Sequence, residues 1–467
     1  MEQFDTIVIG AGIAGLTAAR LLARSGQRVC VLEARHRVGG RVATEREGAR
    51  AIDRGASWIH GIDDSPVYEA ARVLDMTMVE FTAGSFQAGG RPIAYFDPEG
   101  RRLSPEAEAG FIADIGTFDE ALAETIAGYG AGETYAAAVE ETLGRLGWEG
   151  DRAERLREFM RHRTEEQYGA WIADLDAHGL DDDAVDGDEV VFPDGYDRLA
   201  AGLARGLDVR LAREARRVAW GPEGVTVSTV GANGVSGSAG AHPAQPEPPA
   251  DFAASRAIVT VPIGVLQSGR LLFDPVLPEE VAGPIARLRM NAFEKVFLRF
   301  PEQFWPEGVY ALRRQGAAAD EWHSWYDLSR LHDEPTLLTF AAGPWAREIR
   351  GWSDERIVAS VMDALRGIFG EGIPQPVASL VTRWQDDPYT LGSYAYMTVG
   401  SETADHDAIA TPLAGGALQL AGEATWTDDP ATVTAALMSG MRAASRILGR
   451  EIRVAELRAT VAAQIAP

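Results

Sequence analysis

The chain has almost no cysteine, almost no lysine and no long uncharged apolar run. Its one cysteine, Cys30, excludes a disulfide framework and any cysteine-rich zinc or iron–sulfur centre. Its one lysine, Lys295, stands among 44 cationic residues of which every other is arginine. Positive charge is itself scarce: 44 cations face 69 carboxylates, giving a formal net charge of −25 and a pI near 4.8. With no basic block, nothing supplies the phosphate neutralisation on which nucleic-acid binding depends. The longest strongly apolar stretches, such as Ala257 to Leu266, are well short of the ~20 residues a spanning helix needs, so no membrane partner is expected. Thr6 to Ala19 is nearly all apolar, yet Glu2 and Asp5 precede it and no cation comes before Arg20. That is the wrong charge pattern for a secretory signal, and a cytoplasmic location is expected.

What is present points to a folded protein: 46% of the 467 residues are apolar, enough for two or three domain-sized units. The first forty residues read as strand, turn, helix and strand, with the helix from about Ile13 to Ser25 and the second strand over Arg28–Glu33. Pro105 to His178 is rich in Ala, Glu, Arg and Leu and reads as mostly helical, with Ser104 as a cap. Eight carboxylates between Asp174 and Glu189, including Asp181, Asp182 and Asp183, read as a solvated loop. Strands are expected at Val209–Leu211, Arg217–Trp220, Val225–Val230, Ala257–Pro262, Ala292–Phe300, Ala378–Trp384 and Ala417–Ala421. Residues 231–254, dominated by Gly, Ala, Ser and Pro, read as a disordered hairpin tip. Helices are expected at Asp354–Phe369 and from about Ala431 to Leu448. The pattern implies a discontinuous α/β domain interrupted by a second one.

Gly10, Gly12 and Gly15 form G-x-G-x-x-G between a strand and a helix, and Glu33 ends the second strand 23 residues after Gly10. Gly10 permits the tight turn, Gly12 lets amides approach a pyrophosphate, and Gly15 lets helix and strand pack closely. The anion sits at the helix N-terminus and Glu33 accepts ribose hydroxyls. A plain glycine turn in an ordinary βαβ unit is the alternative. Cys30 lies inside the second strand and reads as a buried, inert thiol.

Downstream, Glu33-Ala34-Arg35-His36-Arg37-Val38-Gly39-Gly40-Arg41-Val42 resembles the extended fingerprint of the flavin-containing amine oxidases. Five separated motifs continue the resemblance in order. Asp53-Arg54-Gly55-Ala56-Ser57-Trp58-Ile59-His60-Gly61 is similar to the segment passing over the flavin. Val191-Phe192-Pro193-Asp194-Gly195-Tyr196 is similar to V-x-P-G-G-Y, with Asp194 in place of the first glycine. Val218 resembles the valine whose backbone pairs with adenine. Ile258 to Leu266 resembles the return to the FAD domain, and Leu418 to Thr425, with Gly422 and Glu423, the final flavin strand. The resemblance implies a Rossmann-type FAD-binding domain over 1–80, 191–285 and 376–467, and an α+β substrate domain over 81–190 and 286–375. It also implies that Arg35, Gly40, Arg41, Gly55, Ala56, Ser57, Trp58, Thr432 and Val433 surround FAD.

In an Ala292–Phe300 strand, Phe293, Lys295, Phe297 and Arg299 share one face, which would desolvate the Lys295 ammonium and lower its pKa. Pairing with a carboxylate, or reaching the surface, is the plainer role for a lysine. Arginine serves every other cationic position here, however, and only lysine offers a compact amine able to lose its proton. The resemblance gives Lys295 the role of holding a water beside flavin N5. It makes Trp384 a neighbour of the flavin and Tyr394 one wall of an aromatic substrate cage. The monoamine oxidases carry a tyrosine where Thr432 stands, so the cage is half open, closer to the polyamine oxidases and flavin-dependent lysine demethylases. His60 matches a histidine of some polyamine oxidases. Ser393 replaces the cysteine that tethers flavin in monoamine oxidases, implying noncovalent FAD. The final helix is expected to start after Asp428-Asp429-Pro430 with an acidic cap.

The resemblance therefore implies an FAD-dependent oxidase acting on a small-molecule amine, preferably a di- or polyamine. Hydride passes to flavin N5, O2 reoxidises the flavin to give H2O2, and iminium hydrolysis gives a carbonyl. An L-amino-acid oxidase, needing an arginine for the substrate carboxylate, and a flavin-binding protein without turnover are alternatives. A protein demethylase fits less well, because no long helical insertion is visible.

Overall fold

The computed structural model describes residues 2–48, 50–83, 92–180, 186–232 and 248–458. Asp181–Asp183 and most of the expected hairpin tip lie outside them. The β-branched N-terminal run forms the strand Glu2–Ile9, buried towards its end, and the helix Ile13–Arg24 packs eleven of its twelve residues into the core. Val29–Leu32 follows as the fully buried neighbouring strand. These elements belong to an eight-stranded sheet with Ala250–Val259 and Val29–Leu32 parallel on either side of Glu2–Ile9. Strand Ala250–Val259 is longer than expected because it serves two partners along one edge. Gly224–Gly231 pairs antiparallel with its partly buried first half, and Leu418–Leu420 pairs parallel with its buried end. The parallel core with its covering helices is the Rossmann-type arrangement expected, with ligand space at the strand ends.

A second, six-stranded sheet runs in the order Ala378–Val381, Phe293–Arg299, Thr336–Ala342, Ser324–Asp327, Ala311–Arg314, Ile93–Phe96. Ala378–Val381, placed by the sequence after the boundary at 376, pairs here with Phe293–Arg299. The alternation of strand side chains divides the core in two. Tyr95, Phe297, Tyr326 and Leu338 pack against helices Pro105–Ile126, Tyr135–Leu146 and Gly150–Tyr168. Phe96, Val296, Leu298 and Trp325 pack against the helix Asp354–Phe369. Ser104 caps the first of these helices as expected, accepting from the Ala107 amide at 3.2 Å. Among the described residues no helix is long and apolar enough to cross a membrane.

The last helix, Val433–Leu448, begins two residues later than expected. Asp429 and Ala431 adopt left-handed backbone conformations, with φ of 54° and 67°, and this breaks the helix before Thr432. Thr432 is the cap, its hydroxyl accepting from the Ala435 amide at 3.0 Å. This helix crosses Ile13–Arg24 so closely that a Cβ on Gly440 would lie 2.3 Å from the Ala14 carbonyl oxygen.

Candidate active site

A cavity of about 670 Å³ lies between the two sheets, within the roughly 300–1,000 Å³ of ligand pockets. The first sheet contributes Ile9, Gly10, Leu32 and Glu33, and the second Phe293, Lys295, Tyr326 and Phe340. The helix Ile13–Arg24 starts at this cavity with Gly12 as N-cap and no side-chain cap. A Cβ on Gly12 would meet nothing within 4 Å, so the first-turn amides border open space where an anion can sit. Gly15 is not at the wall. A Cβ there would lie 2.0 Å from the Gly10 carbonyl oxygen, so Gly15 sets the helix–strand distance.

Glu33 accepts from the Ala11 amide at 2.7 Å and the Arg35 amide at 2.8 Å, one on each carboxylate oxygen. Burial pushes its pKa up while these two amides pull it down. Each oxygen keeps a second lone pair for a ribose hydroxyl. Arg41 donates to Glu423 at 2.7 Å and to the Ser393 carbonyl at 3.1 Å. The second oxygen of Glu423 is buried without a hydrogen-bond partner among the described residues, and Gly422 and Glu423 line the cavity. An uncapped helix start, a ribose acceptor and an orphaned buried carboxylate oxygen together fit FAD.

Most of the expected cofactor residues line this cavity: Gly10, Gly12, Glu33, Arg35, Gly40, Arg41, Gly55, Ala56, Ser57, Trp58, Trp384, Gly422, Glu423, Thr432 and Val433. Val218 does not; it is fully buried among Phe4, Ile7 and Val227. Ala215 lines the cavity in its place, with Arg213 and Glu214. Its strand slips register against Gly224–Gly231 between Ala215 and Arg217, a bulge that sequence periodicity does not reveal.

At the other end of the cavity Lys295 is buried. Its Nζ donates to the Asp53 carbonyl at 3.1 Å, the Gly55 carbonyl at 2.6 Å and the Ser57 hydroxyl, and lies 5.6 Å from the Trp58 ring centre. Burial lowers its pKa and the nearby Asp53 carboxylate opposes that shift. The Asp53 carboxyl is itself pushed up by burial and restrained by the Thr44 hydroxyl and the Tyr196 amide. Gly55 is required for this loop, since a Cβ there would fall 1.7 Å from the Arg41 carbonyl oxygen.

Tyr394 packs against Phe293 at 5.8 Å, Phe293 against Phe340 at 4.8 Å, and Phe340 against Tyr326 at 5.3 Å. Trp58 closes the row on Tyr326 at 5.8 Å. Phe340 and Tyr326 come from strands whose sequence carries no local mark of a site. Trp384 donates its indole N–H to the Arg54 carbonyl at 2.9 Å. Buried Glu294 fixes its backbone by accepting from the Trp384 and Gln385 amides, each at 2.9 Å, and from the Thr382 hydroxyl at 2.6 Å. His60 stacks on Trp58 and contacts the buried Glu189 carboxylate through Nδ1. Thr432 lines the cavity with its hydroxyl engaged in capping the last helix.

The flavin containing amine oxidoreductase family matches residues 13–448. Polyamine oxidase 5 of Oryza sativa subsp. japonica is 30% identical over 468 residues, covering 97% of this chain and 90% of that protein. Lysine-specific histone demethylase 1 homolog 1 of the same plant is 30% identical over 468 residues, covering 95% of this chain. The chain spans about half the length of that relative, 52%. Wild-type putrescine oxidase bound to putrescine has the same fold, with a TM-score of 0.73 at 22% identity, covering 96% of this chain and 99% of that one. A match that takes in strands of both sheets and the cavity between them makes the chain a member of the flavin containing amine oxidoreductase family.

Proposed function

We propose that the chain oxidises a di- or polyamine, and the observation that carries this reading is the charge of the cavity wall. Asp63, Asp64, Asp186, Glu189, Asp428 and Asp429 all line it. Its five arginines are already engaged. Arg35 pairs with Asp387, Arg41 with Glu423, Arg54 with Glu45 and Arg270 with Glu214, while Arg213 donates to the Pro248 carbonyl. A cationic amine meets carboxylates and aromatic faces, whereas the carboxylate of an amino acid finds no open arginine among the described residues.

FAD, when bound, supplies the two-electron acceptor; overall, amine, O2 and water become a carbonyl compound, the released amine and H2O2. We assign the pyrophosphate to the helix start at Gly12 and the ribose to Glu33. Tyr394, Phe293 and Trp384 orient the amine, with Thr432 leaving the cage open on one side and His60 at its half-exposed margin. Lys295 holds a water and positive charge at the reacting centre. FAD is held noncovalently, because the sole cysteine is fully buried in the sheet and Ser393 stands at the tether position. We assign 1–80, 191–285 and 376–467 to the FAD-binding unit and 81–190 with 286–375 to the substrate unit, Ala378–Val381 being shared with the second sheet.

The test mixes the yellow protein anaerobically with polyamines, diamines, monoamines, L-amino acids and a methyl-lysine peptide. Bleaching fastest with di- or polyamines is expected. Bleaching by amino acids or by the peptide alone, or by no compound, overturns the proposal. Acid precipitation should release all the flavin; colour remaining on the protein would refute noncovalent binding.

A further inference from the structure

Glu166 and Tyr326 line the main cavity, and a buried polar path leads away from them. Tyr326 donates its hydroxyl to Glu166 Oε2 at 2.6 Å, and Glu166 Oε1 lies 3.2 Å from His323 Nδ1. The same ring nitrogen is 2.9 Å from the Ser324 hydroxyl. His323 and Ser324 in turn line a second cavity of about 20 Å³ beside the exposed Arg155, room for one water. The side chains of His323 and Glu166 are only 6% and 5% exposed, so the middle of the path is shielded from solvent.

His162 stacks on His323 at 3.8 Å, and with Glu165 the two histidines bring one possible metal ligand each within 4.8 Å. The rings are only 8° from parallel, however. Their in-plane lone pairs run side by side and cannot converge on an ion about 2.1 Å from each, so the cluster suits a mobile proton better than a metal. The surrounding charges agree. Burial lowers the His162 pKa well below the ordinary value, assisted by His323, Arg161 and Arg313, so this ring is a neutral cover for its neighbour. Burial alone would raise Glu166, but His323, Arg313 and Tyr326 hold it below the usual range and keep it an acceptor. Glu165, pushed up to about 8 by burial, has Oε2 3.9 Å from His323 Nε2. Asp320 pairs with Arg161, and Tyr95, Glu158 and Arg314 also line the second cavity.

An amine in neutral water is an ammonium, and it gives up hydride only after losing a proton. We propose that Glu166, His323 and Ser324 form a proton exit from the substrate amine to the second cavity. This rests on the amine oxidation proposed above. The ammonium N–H bond breaks as an O–H bond forms on Glu166, and the freed lone pair on nitrogen drives hydride from the α-carbon to the flavin. Glu166 passes the proton to His323 Nδ1. That nitrogen passes it to the Ser324 hydroxyl as the hydroxyl releases its own proton to water. The products are an iminium, a flavin carrying the hydride, and one proton in solvent.

The test mixes the holoenzyme anaerobically, in weak buffer with a pH-indicator dye, with the amine that bleaches it fastest. In the wild type, bleaching and proton release should keep pace. Glu166→Gln should slow both about a hundredfold at neutral pH, the lower end of what a positioned proton acceptor supplies. Above the pKa of the amine itself, where the substrate arrives neutral, this variant should match the wild type. His323→Gln should still bleach in the first turnover, but Glu166 without its imidazole partner retains the proton. The dye signal should then lag about tenfold, and added imidazole should remove the lag. A Glu166→Gln defect that persists at every pH marks a structural role and overturns the exit, as does a dye signal that keeps pace in His323→Gln. So does an absence of proton release in the wild type, a measurement that needs no variant. A wild type that no amine bleaches would instead sink the functional reading on which the exit depends.

Discussion

Replacing Lys295 with methionine keeps the length of the side chain and removes its amine. Two effects of opposite sign should follow. The reoxidation rate should fall roughly a hundredfold, the scale on which one preorganised electrostatic contact acts. Stability should rise. Burial lowers the pKa of Lys295 in the folded chain, whereas the unfolded chain keeps the ordinary value. Between those two pKa values the unfolded state binds more protons, so wild-type stability climbs with pH through that window. Below it the desolvation penalty is fully present, and a buried ammonium costs several kcal/mol. The three donated hydrogen bonds return about 1 kcal/mol each. The single proton of the Ser57 hydroxyl, 3.2 and 3.4 Å from the two carbonyls, can serve one of them when the lysine is gone. The net expectation is a gain of about 1–3 kcal/mol at acidic pH that shrinks as pH rises. Denaturant melts across pH read the stability, and stopped-flow mixing of reduced enzyme with O2 reads the rate. The ammonium is the form that favours electron transfer to oxygen, so the wild-type rate should decline with pH below the ordinary lysine range and the variant profile should be flat. An unchanged rate, or a stability loss independent of pH, would refute this account.

Glu294→Gln should lower the melting temperature and raise the amine KM with flavin retained, because an amide cannot accept all three hydrogen bonds that fix Trp384. A wild-type KM would detach Glu294 from that wall. Gly55→Ala should purify folded but flavin-poor, given the 1.7 Å approach to the Arg41 carbonyl oxygen; absorbance near the flavin bands checks it, and full flavin content counts against the loop geometry. Burial pushes the Cys30 thiol up to about 12, so alkylation followed by mass spectrometry should find it unreactive at neutral pH until the chain is unfolded. Labelling of the native protein would place it outside the sheet.

Much of the nucleotide end was legible because its signals are local. Gly10 to Glu33 carries turn, helix start and acid within one βαβ unit, and the structure assembles them in that order. Asp354–Phe369 agrees with the structure for the same reason, its cap Ser353 and its apolar period lying side by side. The misses are cases where a neighbour far along the chain decided. Val218 resembles the valine whose backbone pairs with adenine, but its strand shifts register between Ala215 and Arg217, and Ala215 rather than Val218 lines the cavity. Asp429 and Pro430 looked like a helix start, yet left-handed turns at Asp429 and Ala431 pass the cap to Thr432. The aromatic row from Tyr394 to Trp58 was only half visible, because Tyr326 and Phe340 arrive through antiparallel pairing of strands that read as ordinary core.

The near-absence of lysine acquires a chemical meaning beside the proposed product. Aldehydes condense with free amines to form imines, and a guanidinium that stays protonated is a poor partner for that condensation. An oxidase releasing a carbonyl compound at every turnover would ordinarily bathe its own surface in a lysine-directed reagent. This chain meets that reagent with arginine at every other cationic position, and its one side-chain amine is 6% exposed, beside Trp58 and hydrogen-bonded to the Asp53–Ser57 loop.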